Sequence, residues 1–219
     1  LDAGLSGVYA YPGTPSTEIT EYIQMAPITT EQNIHNRWCA NEKTAMEAAL
    51  GMSFVLMTGG IDLSQGSLLA LTGVVAAYIV ENQGSVLLAI LASILVGALV
   101  GVVNGSVISR LSIPPFIMTL STMYLCRGLT LVITQASPIS ISSDTFRWIG
   151  SGDFLGIPVP VIIFVTAAII GQFILSYTAT GRYILAVGSN REAARLSGIK
   201  TRWNECKVYI ISGIMVAIA

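Results

Sequence analysis

Asp62 is the only charged side chain between Ala48 and Val80, a window long enough to cross a bilayer. A carboxylate near the middle of a span costs about 2.5–3.5 kcal/mol on insertion scales. The neighbouring residues reduce that cost. Gly59 and Gly60 weaken the helix, and Asp62 or Ser64 can then cap the exposed N–H groups of a new helical start. The positive end of that helix favours the carboxylate further. The chemistry available is therefore that of a discontinuous membrane helix, a device that places irregular backbone beside a cavity. A capped helix start at the membrane surface, with no transport role, satisfies the same residues. Arg127 is a second intramembrane charge. It reads either as a cavity-facing cation near Asp62 or as a side chain snorkelling from about 10 Å inside its helix.

A third group lies in the most basic stretch. Residues 181–207 hold Arg182, Arg191, Arg195, Lys200, Arg202 and Lys207 against Glu192 and Glu205. Ser189 and Glu192 are spaced as a capping box, and Gly198 is placed to end the short helix that follows. Such a helix can dock on a soluble partner or remain a solvated loop helix. Cys39, Cys126 and Cys206 are scattered, so no disulfide framework or metal site is expected, and His35 stands alone.

The elements that hold these groups follow from composition. Hydrophobic residues make up 53% of the 219, charged residues 11%, and mean hydropathy is +0.72. Soluble domains carry about 25% charged residues, so much of this chain faces lipid. Residues 1–66 carry a net charge of −5 and residues 67–219 a net +4. Neither half forms the basic face that nucleic acid requires. Leu87 to Ser109 is uncharged and about 34 Å long as a helix, enough for a core of about 30 Å. Ala89, Ser93, Gly97, Gly101 and Gly105 recur every four positions, a face for close helix packing. Pro114 and Pro115 break the chain before a span at 116–134. A polar loop at 135–157 precedes a span at 158–177, and a final apolar run covers 208–219. The positive-inside rule puts 181–207 and Arg110 in the cytoplasm, with Glu81 and loop 135–157 outside. The chain starts without methionine and ends inside an apolar run, and it is expected to be a fragment at both ends.

Residues 1–50 are more polar. Their motifs YPGTPSTEI (11–19) and NEKTAMEAA (41–49) resemble the large subunit of indolepyruvate-type 2-oxoacid:ferredoxin oxidoreductases, which use thiamine diphosphate. The resemblance implies that Glu42 matches the glutamate facing the aminopyrimidine and that Thr14 lies near the substrate. Because it stops near residue 54, the site would be vestigial. An oxidoreductase fragment is the alternative function for the chain, and no such activity is expected.

Three later segments, TGGIDLSQGSLLALTGVVAA (58–77), PPFIMTLSTMYLCRGLTLVIT (114–134) and GRYILAVGSNREAARLSGIKT (181–201), together resemble the permease subunit of ribose-type sugar ABC importers. Gln65 departs from the small apolar residue expected there. Glu192, Ala193, Ala194, Arg195 and Gly198 match the signature of the helix that couples to the ATPase. The resemblance implies alternating-access import of a monosaccharide across a bacterial inner membrane. It also implies partnership with an ABC ATPase, a periplasmic sugar-binding protein and a second permease copy. No phosphate loop GxxxxGK(S/T) is present, so ATP would be used by the partner and no cofactor by this chain. The expected fold is mainly α: a partial polytopic membrane bundle at 55–219, with its coupling loop at 181–207, behind a short soluble α/β-type fragment at 1–54. The expected whole is a chimera.

Overall fold

The computed structural model describes residues 7–10, 35–38, 50–135, 137, 139, 141, 143–154 and 156–219. The chain divides into two compact units, Leu1–Ala45 and Met46–Ala219. In the first, strands β1 (Gly7–Ala10) and β2 (His35–Trp38) pair in parallel, Gly7 opposite His35 and Ala10 opposite Trp38.

The second unit is a helical bundle. Its helices are α1 (residues 50–57), α2 (Gln65–Gln83), α3 (Val86–Leu111), α4 (Pro115–Thr134), α5 (Asp144–Ser151), α6 (Val159–Tyr177), α7 (Ala179–Ser189), α8 (Arg191–Leu196) and α9 (Thr201–Ile218). Between α5 and α6, β3 (Asp153–Phe154) and β4 (Ile157–Pro158) make a short antiparallel pair. Among the described residues, α3, α4 and α6 are long and apolar enough to cross a membrane. Their ends have local causes. Ser85 caps α3 by accepting from the Leu88 N–H, and Pro115 opens α4 where its missing N–H costs nothing.

The small-residue face of α3 does what its spacing predicts. Ala89 and Ser93 meet α2, and the glycines lie along α9, where a Cβ added at Gly97 would run into the carbonyl oxygen of Gly213. One added at Gly101 would strike the Tyr209 carbonyl, and one at Gly105 would sit 2.8 Å from the Cys206 carbonyl oxygen. The order 97–213, 101–209, 105–206 makes the pair antiparallel. Gly213 returns the contact on Gly97, so at this crossing backbone meets backbone. The core centres on the same helices, with Phe54, Val55, Ile108, Ile184, Val208 and Tyr209 in one buried cluster. Leu68, Leu71, Cys126 and Val216 form another.

The expected soluble α/β fragment is corrected by this arrangement. The stretch LGMSFVLM (50–57) is as apolar as the rest of the bundle and folds into it as α1. Phe54 and Val55 are buried in the bundle core, and Gly51 packs on Ser212 and Met215 of α9. The helix thus runs through residue 54, where the soluble fragment was expected to end. Among the described residues of the first unit are two four-residue strands paired in parallel. The last helix also differs from expectation. α9 spans Thr201–Ile218, so Arg202, Glu205 and Lys207 belong to its first turns and not to the preceding loop.

A polar break beneath the bundle

Between α1 and α2 the helical hydrogen-bond pattern fails. Thr58 and Gly60 both donate backbone N–H groups to the Val55 carbonyl, and Gly59 adopts φ +75, a conformation costly for any other residue type. The contacts show that the chain also reverses here. Gly51 packs on Ser212, Met57 lies against Gly188 of α7, Gly60 faces the Tyr209 hydroxyl, and Gln65 is back at Ser212. The sequence pattern anticipates the break but not the reversal.

Asp62 sits inside that reversal, 4% exposed. Its Oδ1 accepts from the Ser64 backbone N–H at 3.0 Å and from the Ser64 hydroxyl at 2.6 Å. Its Oδ2 accepts from the Ser212 hydroxyl at 3.2 Å. Asp62 therefore supplies the side-chain cap, while Ser64 occupies the N-cap position of α2 and makes no cap bond of its own. The cluster extends across three more helices. The Gln65 amide donates to Ser212 Oγ at 2.8 Å, and the Asn104 amide of α3 donates to Ser64 Oγ at 3.4 Å. Thr122 of α4 donates to Asn104 Oδ1 at 2.6 Å. Thr119 donates to the Ile61 carbonyl at 3.3 Å. The side chains of this network are all buried. A carboxylate held by several donors survives burial, because those bonds replace the water it lost.

Of the predicted intramembrane residues, Gly59, Gly60, Asp62 and Ser64 come together. Arg127 is exposed on α4 and takes no part in the cluster. Gln65, Asn104, Thr119, Thr122, Tyr209 and Ser212 were not among the predicted site residues. Their only signal was a lone amide or hydroxyl on a small-residue face, as with Asn104 beside Gly105 and Ser212 beside Gly213. Beneath the break lies a cavity of about 250 Å³, lined in part by Gly59, Gly60, Pro114, Arg191, Glu205 and Tyr209.

The basic stretch builds α7 and α8. Asn190, with φ −155, caps α8 by accepting from the Ala193 N–H at 2.9 Å. Ser189 is the last residue of α7, so the predicted capping box does not form there. Gly198, at φ +82, ends α8 as anticipated. Its N–H donates to Arg195 O and the Ile199 N–H donates to Ala194 O, a Schellman closure. Ala194 is buried, while Glu192, Ala193, Arg195 and Leu196 are exposed. Arg195 forks onto Glu192 within the helix and holds its carboxyl below the usual carboxylate range. Arg191 reaches across to α9 and forks onto Glu205, through Nε to one oxygen and at 3.2 Å to the other. That bond raises the Arg191 guanidinium further above its ordinary value. Thr14 and Glu42 lie outside the described residues. Cys126 and Cys206 are buried free thiols, and no group of metal-ligating side chains occurs among the described residues.

The described residues thus form a multi-helix bundle with a charged break and a short capped helix, and comparison with known proteins bears on what kind of protein this is. The family model described as "Branched-chain amino acid transport system / permease component" matches residues 45–219, and the chain belongs to that family. It is a multi-pass protein of the inner membrane and a transport component, not a catalyst. The ribose import permease protein of Escherichia coli strain K12 is 41% identical over 192 residues, which is 85% of this chain and 60% of that protein. The fructose import permease protein of Bifidobacterium longum is 41% identical over 175 residues, 78% of this chain and 49% of that protein. The galactofuranose transporter permease protein of Escherichia coli strain K12 is 38% identical over 171 residues, 78% of this chain and 50% of that protein. The chain thus spans about half to three-fifths of the length of these relatives. No solved structure matches it.

These matches overturn the chimera. The family match begins at residue 45, inside the motif 41–49 that resembled an oxidoreductase, and the 192-residue match is longer than the stretch 55–219. The alanines of that motif belong to the permease, and an oxidoreductase fragment is no part of this protein.

Proposed function

We propose that this chain forms the membrane pathway of an ATP-binding-cassette importer for a monosaccharide. The observation that carries this reading is the agreement of its relatives. Those named for ribose, fructose, galactofuranose and L-arabinose are all sugar permeases, although the family as described is named for branched-chain amino acids. The geometry supplies the parts such a pathway needs. The break at Gly59–Ser64 provides irregular backbone of the kind transporters use beside a pathway, held in one arrangement by the Asp62 cluster. Asp62 and Ser64 shape the break; contact with sugar is not assigned to them. The short helix α8 presents Glu192, Ala193, Arg195 and Leu196 outward on a rigid base closed by Gly198, with Ala194 packed inward. That face suits the groove of an ATPase subunit. A second copy of the permease and a periplasmic sugar-binding protein complete the assembly. ATP-driven closure of the ATPase pair moves α8, and the helices around Asp62 reorient between outward-open and inward-open states.

Reconstitution of the full-length protein in liposomes, with its ATPase and binding protein, tests the reading. ATP-dependent uptake of labelled ribose, fructose or arabinose is expected. Uptake of labelled leucine with none of these sugars would overturn the sugar assignment. Within the same assembly, Glu192→Lys should abolish transport while the protein still inserts in the membrane. Full transport by that variant would remove α8 from the coupling role.

A further inference from the structure

The route by which movement of α8 reaches the break is itself written on one helix. Glu205, Tyr209 and Ser212 are spaced four and three residues apart along α9, so they share a face. At the cytoplasmic end of that face, Glu205 is gripped by both nitrogens of the Arg191 fork, and Arg191 is the first residue of α8. At the inner end, Ser212 donates to Asp62 and accepts from Gln65. Between them, the Tyr209 hydroxyl lies against Gly60, where no side chain intervenes. Tyr209 is 3% exposed, and its hydroxyl has no hydrogen-bond partner among the described residues.

We propose that this face of α9 carries the displacement of α8 to the Asp62 cluster, with the Arg191–Glu205 ion pair as the attachment and the Tyr209 hydroxyl as the group that gains a partner in the second state. The inference rests on the importer reading above and adds to it residues that act through others. A planar guanidinium on a carboxylate fixes orientation as well as distance, so while the fork is made, movement of α8 pulls on the start of α9. A buried hydroxyl without a partner is a cost in the present arrangement. It is removed when a small shift of α9 brings Tyr209 opposite an acceptor in the segment 60–62. A second contact keeps α8 from swinging free: Gly188, just before it, packs directly on the Met57 carbonyl at the end of α1.

The test uses the full-length transporter assembled with its ATPase and reads sugar imported per ATP hydrolysed. Arg191→Glu and Glu205→Arg should each lower that ratio by about tenfold while hydrolysis continues, and the charge-swapped double variant should recover most of it. Tyr209→Phe should raise the unfolding temperature in detergent, because it deletes the unpartnered hydroxyl, yet lower the import ratio. A residue that only supports the fold would move both quantities in the same direction. Ratios unchanged in Arg191→Glu and Tyr209→Phe, in an assembly whose wild type imports sugar, would overturn the α9 linkage alone. A wild type that hydrolyses ATP and imports no sugar would overturn the importer reading on which it rests.

Discussion

The Asp62 cluster and helix α8 both organise acidic side chains, and they do so by opposite means. Asp62 is enclosed, held by hydroxyl and backbone donors, and tied through Ser64, Asn104, Thr122 and Ser212 to three other helices. Glu192 is exposed and held by Arg195 on its own helix. An enclosed carboxylate is expensive to leave without partners. Its bonds therefore fix helix positions. An exposed pair is screened and worth little to stability, which leaves its charges available for a partner. The difference separates side chains that set the shape of the bundle from side chains that the fold does not need.

Four substitutions break or sharpen this contrast. The largest effect is expected at the seam that positions the cluster. Gly213→Leu forces a side chain into the Gly97 backbone and should destabilise the bundle by about 3 kcal/mol or more. Thermal unfolding in detergent will register this, or the protein will fail to accumulate in membranes. Asp62→Ala comes next. It strips acceptors from the Ser64 N–H and from the Ser64 and Ser212 hydroxyls, a loss of about 2–3 kcal/mol by the same measurement. Equal stability to wild type would show that the carboxylate does not tie the helices together. Thr122→Val removes one neutral bond to Asn104 and should cost about 1 kcal/mol. The smallest effect belongs to Glu192→Gln. Arg195 lowers the Glu192 carboxyl, so any contribution of the pair is present above the ordinary glutamate range and is lost as pH falls through the lowered value. Because both groups are exposed, the unfolding temperature of Glu192→Gln should match wild type from neutral pH down to the carboxylate range. A clear divergence between the two curves would mean that α8 is built into the fold and is not a free docking surface.

What could be read from the sequence was what depends on neighbours along the chain. Gly59, Gly60 and Asp62 announced the break because two glycines and a lone acid in an apolar window are costly in an unbroken membrane helix. The four-residue repeat of Ala89, Ser93, Gly97, Gly101 and Gly105 announced a close packing face, and Gly198 announced the end of α8. The partner helix of that face was not announced. Gly213 lay in a run taken to begin at Val208, because Arg202, Glu205 and Lys207 disguised the first turns of α9 as loop. The polar network was equally hidden. Ser212 is 150 residues from Asp62, and Asn104 is 40 from Ser64. Whether such residues meet depends on how each helix is rotated, which no local pattern records. Gln65 stood out as a departure from the expected small apolar residue; its amide bonds Ser212, which is what a polar side chain at that place achieves. The N-terminal assignment failed for the converse reason. Short motifs of proline, glycine, alanine and glutamate satisfy turns and helix starts in many unrelated proteins, so YPGTPSTEI and NEKTAMEAA carried less information than their length suggested.

The contact of Gly97 with Gly213 has a mechanical meaning. Where two helices touch backbone to backbone, no flexible side chain lies between them to absorb strain. α3 and α9 then behave as a two-ply beam and not as two independent rods. A displacement of one ply is shared by the other along its length. Asn104 rides on the first ply and bonds Ser64, and Ser212 rides on the second and bonds Asp62, so one stiff unit grips the polar break at two points.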